Sequence, residues 1–328
     1  MAIASAVIGG SLLVLLAGRA DLDPGRLVGI VTGLRLGPVA LIAFAMCCMS
    51  WCSAEKWRVV VRTACPDTAL ELGRGTYFAC TAFGLLTGQL LPPSVGAAAA
   101  RSAGVKLLGG TIVQATSATA FEQVFDAALA CWCAAATLAT IALHLAPAAW
   151  LLATAVACAL GVLSTLLATR RLSTLLVRDD PGAGPASRFG RLRQWVAARV
   201  SWQALLDPAL TWRLVALSAC RYGALIVSAY AAALAGDLPV ALWQVAAVMP
   251  LAVLTVLVSF VPAGLGVNEW TFASALTVLG VPFATAAEFA LLNRFLNVLG
   301  AVAIAALGGA VLVASGHRPT SVALRRST

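Results

Sequence analysis

Charged residues are scarce in this chain, and their scarcity excludes an ordinary soluble domain. Only 11% of the 328 residues are charged and 61% are hydrophobic, with a mean hydropathy of +0.94. Soluble globular domains carry about 25% charged residues. The composition therefore predicts an all-α polytopic membrane protein.

Histidine and paired cysteine motifs are also nearly missing. The histidines are His144 and His317, and no two CxxC motifs occur. These shortages argue against a histidine-based metal or catalytic site. Most of the nine cysteines lie in apolar runs, where cysteine is usually a small buried hydrophobe. We expect no metal, no cofactor and no catalytic residue.

The basic residues that are present are clustered. Twelve of the 22 Lys and Arg lie in 55–75, 97–110 and 170–193. Such clusters are typical of cytoplasmic loops, so they indicate membrane orientation and no nucleic-acid partner.

Apolar runs predict six spanning helices and two shorter helical hairpins. Segment 76–91 is apolar but would cover only about 24 Å as a helix, less than the roughly 30 Å hydrocarbon core. It leads into a proline break, so we interpret 76–109 as a re-entrant hairpin, and 240–280 as another. The predicted spans are 2–18, 38–54, 111–143, 147–169, 212–234 and 284–313. The predicted connections are the polar loops 19–36, 55–75 and 170–208, the last with an amphipathic stretch at 192–206.

Each hairpin is predicted from residues that break a helix. The second break holds Pro262, Gly264 and Gly266, followed by the polar Asn268 and Glu269. The first break holds Pro92 and Gly96, which have the same Pro-x-x-x-Gly spacing as Pro262 and Gly266. Broken backbone beside a carboxylate is typical of transporter substrate sites.

The two breaks suggest an inverted repeat. From Pro92 to the polar Glu122 is 30 positions, and from Pro262 to Asn293 is 31. We predict a first membrane repeat at 1–145, a second at 146–313 and a basic tail at 314–328. An alternative is that 240–261 spans the membrane fully, which would place the basic tail outside.

The charge distribution favours the hairpin scheme. It places sixteen Lys and Arg inside, three outside and three within spans. We therefore expect a multi-pass protein of the plasma (inner) membrane with both termini in the cytoplasm.

Ionisable residues inside spans are the candidate substrate-binding groups, because charge in a bilayer is costly and usually functional. Glu122 and Asp126 share one helix face, since they are four positions apart. Arg221, Glu269 and Arg294 complete the set, and we expect Arg294 and Glu269 to pair at its centre. Glu288 also lies in a predicted span, but it is nearer to the end of that span, so we interpret it as interfacial. Half-helix N-termini at the breaks suit a phosphate or carboxylate, so the expected ligand is a lipid with an anionic headgroup. The alternative is an ion-pair network that only fixes helix packing.

The same motifs carry a family resemblance. The Leu-Pro-x-x-x-Gly of 91–96, the Glu122 and Asp126 helix, the Pro-x-Gly-x-Gly-x-x-Glu of 262–269 and the Leu-Leu-Asn-Arg of 291–294 resemble the lysylphosphatidylglycerol synthase transmembrane-domain family, also called flippase-like. The chain departs from that pattern at Ala97 and Gln123, where members tend to carry Glu and Arg. The resemblance implies movement of a phospholipid or a glycolipid or isoprenoid lipid between leaflets, or another role in a lipid pathway.

Two other functions remain open. A membrane enzyme could use Glu269 or Glu122 as a base, although the chain lacks metal ligands and a phosphate-binding loop. A scaffold for lipid-biosynthesis enzymes could use the basic segment 170–208. The sequence gives no indication of the oligomeric state.

Overall fold

The fold is known from a computed structural model that describes residues 2–64, 72–107, 112–143, 146–177, 207–259 and 261–315. Within these residues all regular structure is helical, as predicted. The α-helices are α1 (Ala2–Arg19), α2 (Pro24–Thr32), α3 (Leu36–Ala64), α4 (Arg74–Thr87), α5 (Pro93–Leu107), α6 (Ile112–Ala142), α7 (Pro147–Val177), α8 (Pro208–Ala235), α9 (Leu242–Val258), α10 (Val267–Val278) and α11 (Phe283–Ala314).

Four helices are long and apolar enough to cross a bilayer. The spans lie within α3, α6, α8 and α11, at Leu36–Thr63, Ile112–Ala142, Ala209–Ala235 and Phe283–Ala314. Each has at least 27 residues, which exceeds the roughly 20 that a membrane crossing needs. The chain is therefore a multi-pass membrane protein. The other two predicted spans correspond to α1 and α7, which carry shorter apolar segments at Val7–Arg19 and Ala149–Ser164.

Two pairs of shorter helices separate the long ones. The helices α4 and α5, of 14 and 15 residues, pack on each other. So do α9 and α10, of 17 and 12 residues. A short 3₁₀ turn, Pro262–Gly264, connects α9 to α10 and separates the two helices. Gly264 and Gly266 have φ of 66° and 78°. Positive φ suits glycine, so these residues prevent a continuous helix.

Glycine also brings the first pair together. A Cβ at Gly96 would lie 2.6 Å from the backbone nitrogen of Gly88, and one at Gly104 would lie 2.3 Å from the sulfur of Cys80. The hydroxyl of Thr87 donates a hydrogen bond of 2.9 Å to the carbonyl of Gly96. Small residues at such crossings let helix backbones approach closely.

The helix contacts follow the same pattern in both halves of the chain. When α3, α4, α5 and α6 are matched with α8, α9, α10 and α11, most contacts have a counterpart. Thus α4 packs on α11 as α9 packs on α6, and α5 packs on α6 as α10 packs on α11. The long helices α3 and α8 pack along each other.

The structure corrects several boundaries of the sequence analysis. The prediction of a loop at 55–75 is wrong over its first part, because α3 continues to Ala64. Lys56 and Arg58 are therefore helical, and both are buried. The polar connector 19–36 contains α2, whose N-terminus is capped by the side chain of Asp23. The predicted loop 170–208 begins with the end of α7, which reaches Val177. The returning helix α5 begins at Pro93, before Gly96, since proline is favoured in the first turn. The amphipathic stretch 192–206 lies outside the described residues, as does the tail from 316.

Candidate functional site

A cavity of about 300 Å³ lies between the two halves of the protein. Helices α3, α4, α5, α6, α8, α9, α10 and α11 contribute to its wall. Apolar side chains such as Met46, Met249 and Phe272 form part of that wall. The charged and amide side chains on it are Gln89, Arg101, Glu122, Gln123, Asp126, Arg221, Asn268, Asn293, Arg294 and Asn297. Charge in the wall of a cavity between membrane-length helices marks it as the candidate functional site.

Arg101 and Glu122 form a buried ion pair on the side of the first half. The guanidinium nitrogen Nη1 of Arg101 donates to Oε2 of Glu122 at 2.5 Å. The guanidinium also lies 5.0 Å from the ring centre of Trp57, which is fully buried. Both charged side chains are almost inaccessible, so each depends on the other for neutralisation.

Asp126 is shared by two cations from different helices. Nζ of Lys56 on α3 lies 2.6 Å from Oδ1, and Nη1 of Arg221 on α8 lies 3.0 Å from Oδ2. The side chain of Lys56 is 0% exposed, whereas that of Arg221 is 28% exposed. Arg221 faces the cavity, and Lys56 lies behind Asp126 and outside the cavity wall.

Glu269 and Arg294 lie together at the second break. Nε of Arg294 is 3.7 Å from Oε1 of Glu269, whose side chain is fully buried in the first turn of α10. Nη1 of Arg294 donates a 2.8 Å hydrogen bond to the carbonyl of Ala263, a residue with φ of 50°. Arg294 therefore connects the cavity, the buried carboxylate and the broken backbone.

The two breaks themselves touch. The backbone N–H of Ala263 donates to the carbonyl of Leu91 at 3.2 Å, so the segment holding Pro262 lies against the segment holding Pro92. Such a bond satisfies backbone groups that the breaks leave free. The two breaks are therefore neighbours in the structure.

The predicted site residues fall into two groups. Those on the cavity wall are Glu122, Asp126, Arg221, Asn268 and Arg294. Those that shape the breaks or lie behind the wall are Pro92, Gly96, Pro262, Gly264, Gly266 and Glu269. Glu288 lies apart from both groups, because it pairs with Arg26 of α2 at 2.9 Å.

Two buried cations beside the cavity were missed by the sequence analysis. Lys56 and Arg101 were assigned to basic clusters near the cytoplasm, yet both side chains are buried and paired with acids. The two acids on α6 could have revealed these cations. Buried Glu122 and Asp126 each need a cation. Because Arg294 was expected to pair with Glu269, Arg221 was the remaining predicted cation and could not neutralise both acids.

No set of three or more His, Cys, Asp or Glu side chains that could hold a metal ion occurs in the described part of the chain. The acidic groups at the site instead pair with Lys and Arg side chains.

The comparison with known proteins agrees with these motifs. No curated protein sequence matches the chain significantly. Residues 1–305 match the family described as the lysylphosphatidylglycerol synthase TM region. That match includes both helix breaks and every charged group that pairs at the cavity wall. The chain therefore belongs to the lysylphosphatidylglycerol synthase TM region family of membrane proteins.

Proposed function

We propose that this protein is a lipid transporter, and not an enzyme, that moves a phospholipid, a glycolipid or an isoprenoid lipid between leaflets. The observation that carries the proposal is the charged cavity, about 300 Å³ in volume, whose wall includes residues of all four membrane-length helices. That volume is at the lower end of small-molecule sites, which suits a headgroup whose acyl chains stay in the bilayer. Family membership supports a lipid as the cargo.

The helix arrangement supports an inverted repeat as the basis of transport. Matching the two halves reproduces their contacts, and each half contains a broken pair of short helices. We propose that 76–109 and 240–280 are re-entrant hairpins entering from opposite sides. Inverted repeats with discontinuous helices at the substrate site are a common transporter plan.

Membrane lipids are the proposed partners, with lipid-biosynthesis enzymes supplying them. An anionic headgroup would compete with Glu269 for Arg294. Because Arg294 also holds the carbonyl of Ala263, headgroup binding would act directly on the second break. This coupling gives the pair a place at the centre of translocation.

The direct test is transport by purified protein in liposomes that carry labelled phospholipids and glycolipids. The double variant Arg294→Gln/Glu269→Gln removes both charges and nearly preserves volume. We expect it to fold and insert but to lose lipid movement and binding.

The matched control is Arg26→Gln/Glu288→Gln, which removes another ion pair that includes α11 but is absent from the cavity wall. It should transport like the wild type. Full transport by a well-folded Arg294→Gln/Glu269→Gln variant would make that pair structural. A chemically altered lipid without movement would instead indicate an enzyme.

The proposed orientation has both termini in the cytoplasm of a cell with this protein in its inner membrane. A single cysteine at position 320, on a cysteine-free background, should react with a membrane-impermeant reagent only after the membrane is opened. A cysteine at position 237, in the turn after α8, should react in intact cells. Labelling of position 320 in intact cells would contradict the scheme.

A further inference from the structure

The charges around the cavity do not balance. Its wall and the side chains paired with that wall hold four cations, Lys56, Arg101, Arg221 and Arg294, against the three carboxylates of Glu122, Asp126 and Glu269. One positive charge is therefore in excess among the described residues. Protonation of any of the three carboxylates would only enlarge that excess.

The excess can be assigned to one group of residues. Arg101 pairs with Glu122, and Arg294 pairs with Glu269, so each of these pairs is neutral. Lys56 and Arg221 share the single charge of Asp126. A charge taken out of water without a full counter-charge is costly, so an anion that enters the cavity gains most near these three residues.

Within this group Arg221 is the cation that a ligand can reach. Lys56 is fully buried and makes the shorter contact, 2.6 Å against 3.0 Å. Arg221 is partly exposed and faces the cavity. A partly exposed guanidinium matches the planar oxygens of a phosphate ester.

We propose that Arg221 binds the phosphate of a lipid headgroup, and that Lys56 makes this possible by remaining as the counter-ion of Asp126. The assignment rests on the proposed lipid transport. Lys56 acts through Asp126 without touching the lipid and is thus a positioning residue. A headgroup with one net negative charge would bring the cavity to neutrality, so a monoanionic phosphodiester is the preferred class.

The test changes the number of cations that share the carboxylate of Asp126. In Lys56→Met, Asp126 has only Arg221 as a partner, so Arg221 should stay in that pair and be less available to the lipid phosphate. We expect affinity for phosphatidylglycerol to fall about tenfold to a hundredfold, the worth of a hydrogen bond to a charged group. In Lys56→Met/Asp126→Asn, Arg221 is free again, and affinity should return to near the wild-type value.

The measurement is a titration of the purified full chain in neutral detergent, with bound lipid counted by native mass spectrometry. Phosphatidylglycerol, zwitterionic phosphatidylcholine and inorganic phosphate are titrated separately. Lys106→Met is the matched control, because it removes the same charge at the exposed end of α5 and leaves Asp126 untouched. Phosphatidylcholine has the same phosphate but no net charge, so it should bind the wild type more weakly than phosphatidylglycerol does.

Several results would overturn the proposal. Unchanged phosphatidylglycerol binding by Lys56→Met would do so, as would a failure of the folded double variant to restore it, since a merely structural Lys56 predicts no rescue. If the double variant does not fold, Asp126→Asn alone decides, because it should bind phosphatidylglycerol at least as well as the wild type. Phosphate binding as tight as that of the lipid would exclude a lipid-specific site.

The liposome assay separates this proposal from the proposed function. Binding that depends on these charges, without transport, would support the role of Arg221 and contradict the proposed transport. Transport that is unchanged by these substitutions would support the proposed transport and contradict the role of Arg221.

Discussion

Arg101→Met is expected to lower the free energy of unfolding by about 3–5 kcal/mol, because it leaves Glu122 charged and buried without a partner. The pair is 2.5 Å apart, with both side chains nearly inaccessible. The substitution also removes a cation from the face of Trp57. Equilibrium unfolding in mixed detergent micelles, followed by tryptophan fluorescence, measures the change.

Two further variants identify the cause. Adding Glu122→Gln to Arg101→Met should recover most of the loss, because no stranded charge remains. Arg35→Met breaks an ion pair of 2.9 Å with Asp237 whose side chains are 59% and 74% exposed. That exposed pair should contribute less than about 1 kcal/mol. Equal losses from Arg101→Met and Arg35→Met would show that burial does not control the strength of these pairs.

Gly266→Ala is expected to destabilise the protein by about 2–5 kcal/mol, for two reasons that act together. Its φ of 78° is unfavourable for any residue with a Cβ. A Cβ there would also lie 2.6 Å from the carbonyl oxygen of Gly9 and from Cβ of Leu12, both in α1. The same unfolding measurement applies, and the loss should appear without any change in charge.

The chain offers a control for each reason. Gly280→Ala tests the backbone alone, since Gly280 has φ of 91° and open space where a Cβ would lie, and it should cost about 1–2 kcal/mol. Gly9→Ala tests the contact alone, because Gly9 is helical and its Cβ would lie 2.8 Å from the carbonyl of Leu265. Gly10→Ala should be harmless, because nothing lies within 4 Å. A Gly266→Ala variant as stable as Gly10→Ala would mean that α1 does not hold the break.

Sequence reasoning located the helices well where hydrophobicity alone decides them. The predicted spans 111–143, 212–234 and 284–313 differ from α6, α8 and α11 by only a few residues. The sequence analysis ended the second span too early, at 54, because Glu55, Lys56 and Arg58 resemble the polar end of a span, whereas α3 continues to Ala64. In the structure Arg58 pairs with Glu55 one turn away, and Lys56 pairs with Asp126. A helix can therefore continue through charges that its own neighbours neutralise.

The site was predictable in part for a similar reason. Acidic residues within a long apolar run are recognisable from the sequence, so Glu122 and Asp126 were predicted as site residues. Their partners were not, because Arg101 lies 21 positions from Glu122 and Lys56 lies 70 from Asp126. Pairing across helices depends on packing, which periodicity within one helix does not contain. Glu269 and Arg294 were matched only because the proposed repeat related their segments.

The contact between α1 and the second break has a consequence for the order of synthesis. The indole nitrogen of Trp270 donates to the carbonyl of Leu12 at 2.7 Å, across 258 positions of the chain. A ribosome adding about 5–20 residues per second needs roughly 13–50 s to make that partner after Leu12. During this interval α1 exists without its partner on α10. The hydrogen bond that joins α1 to the helix after the second break can therefore form only when most of the chain has been made.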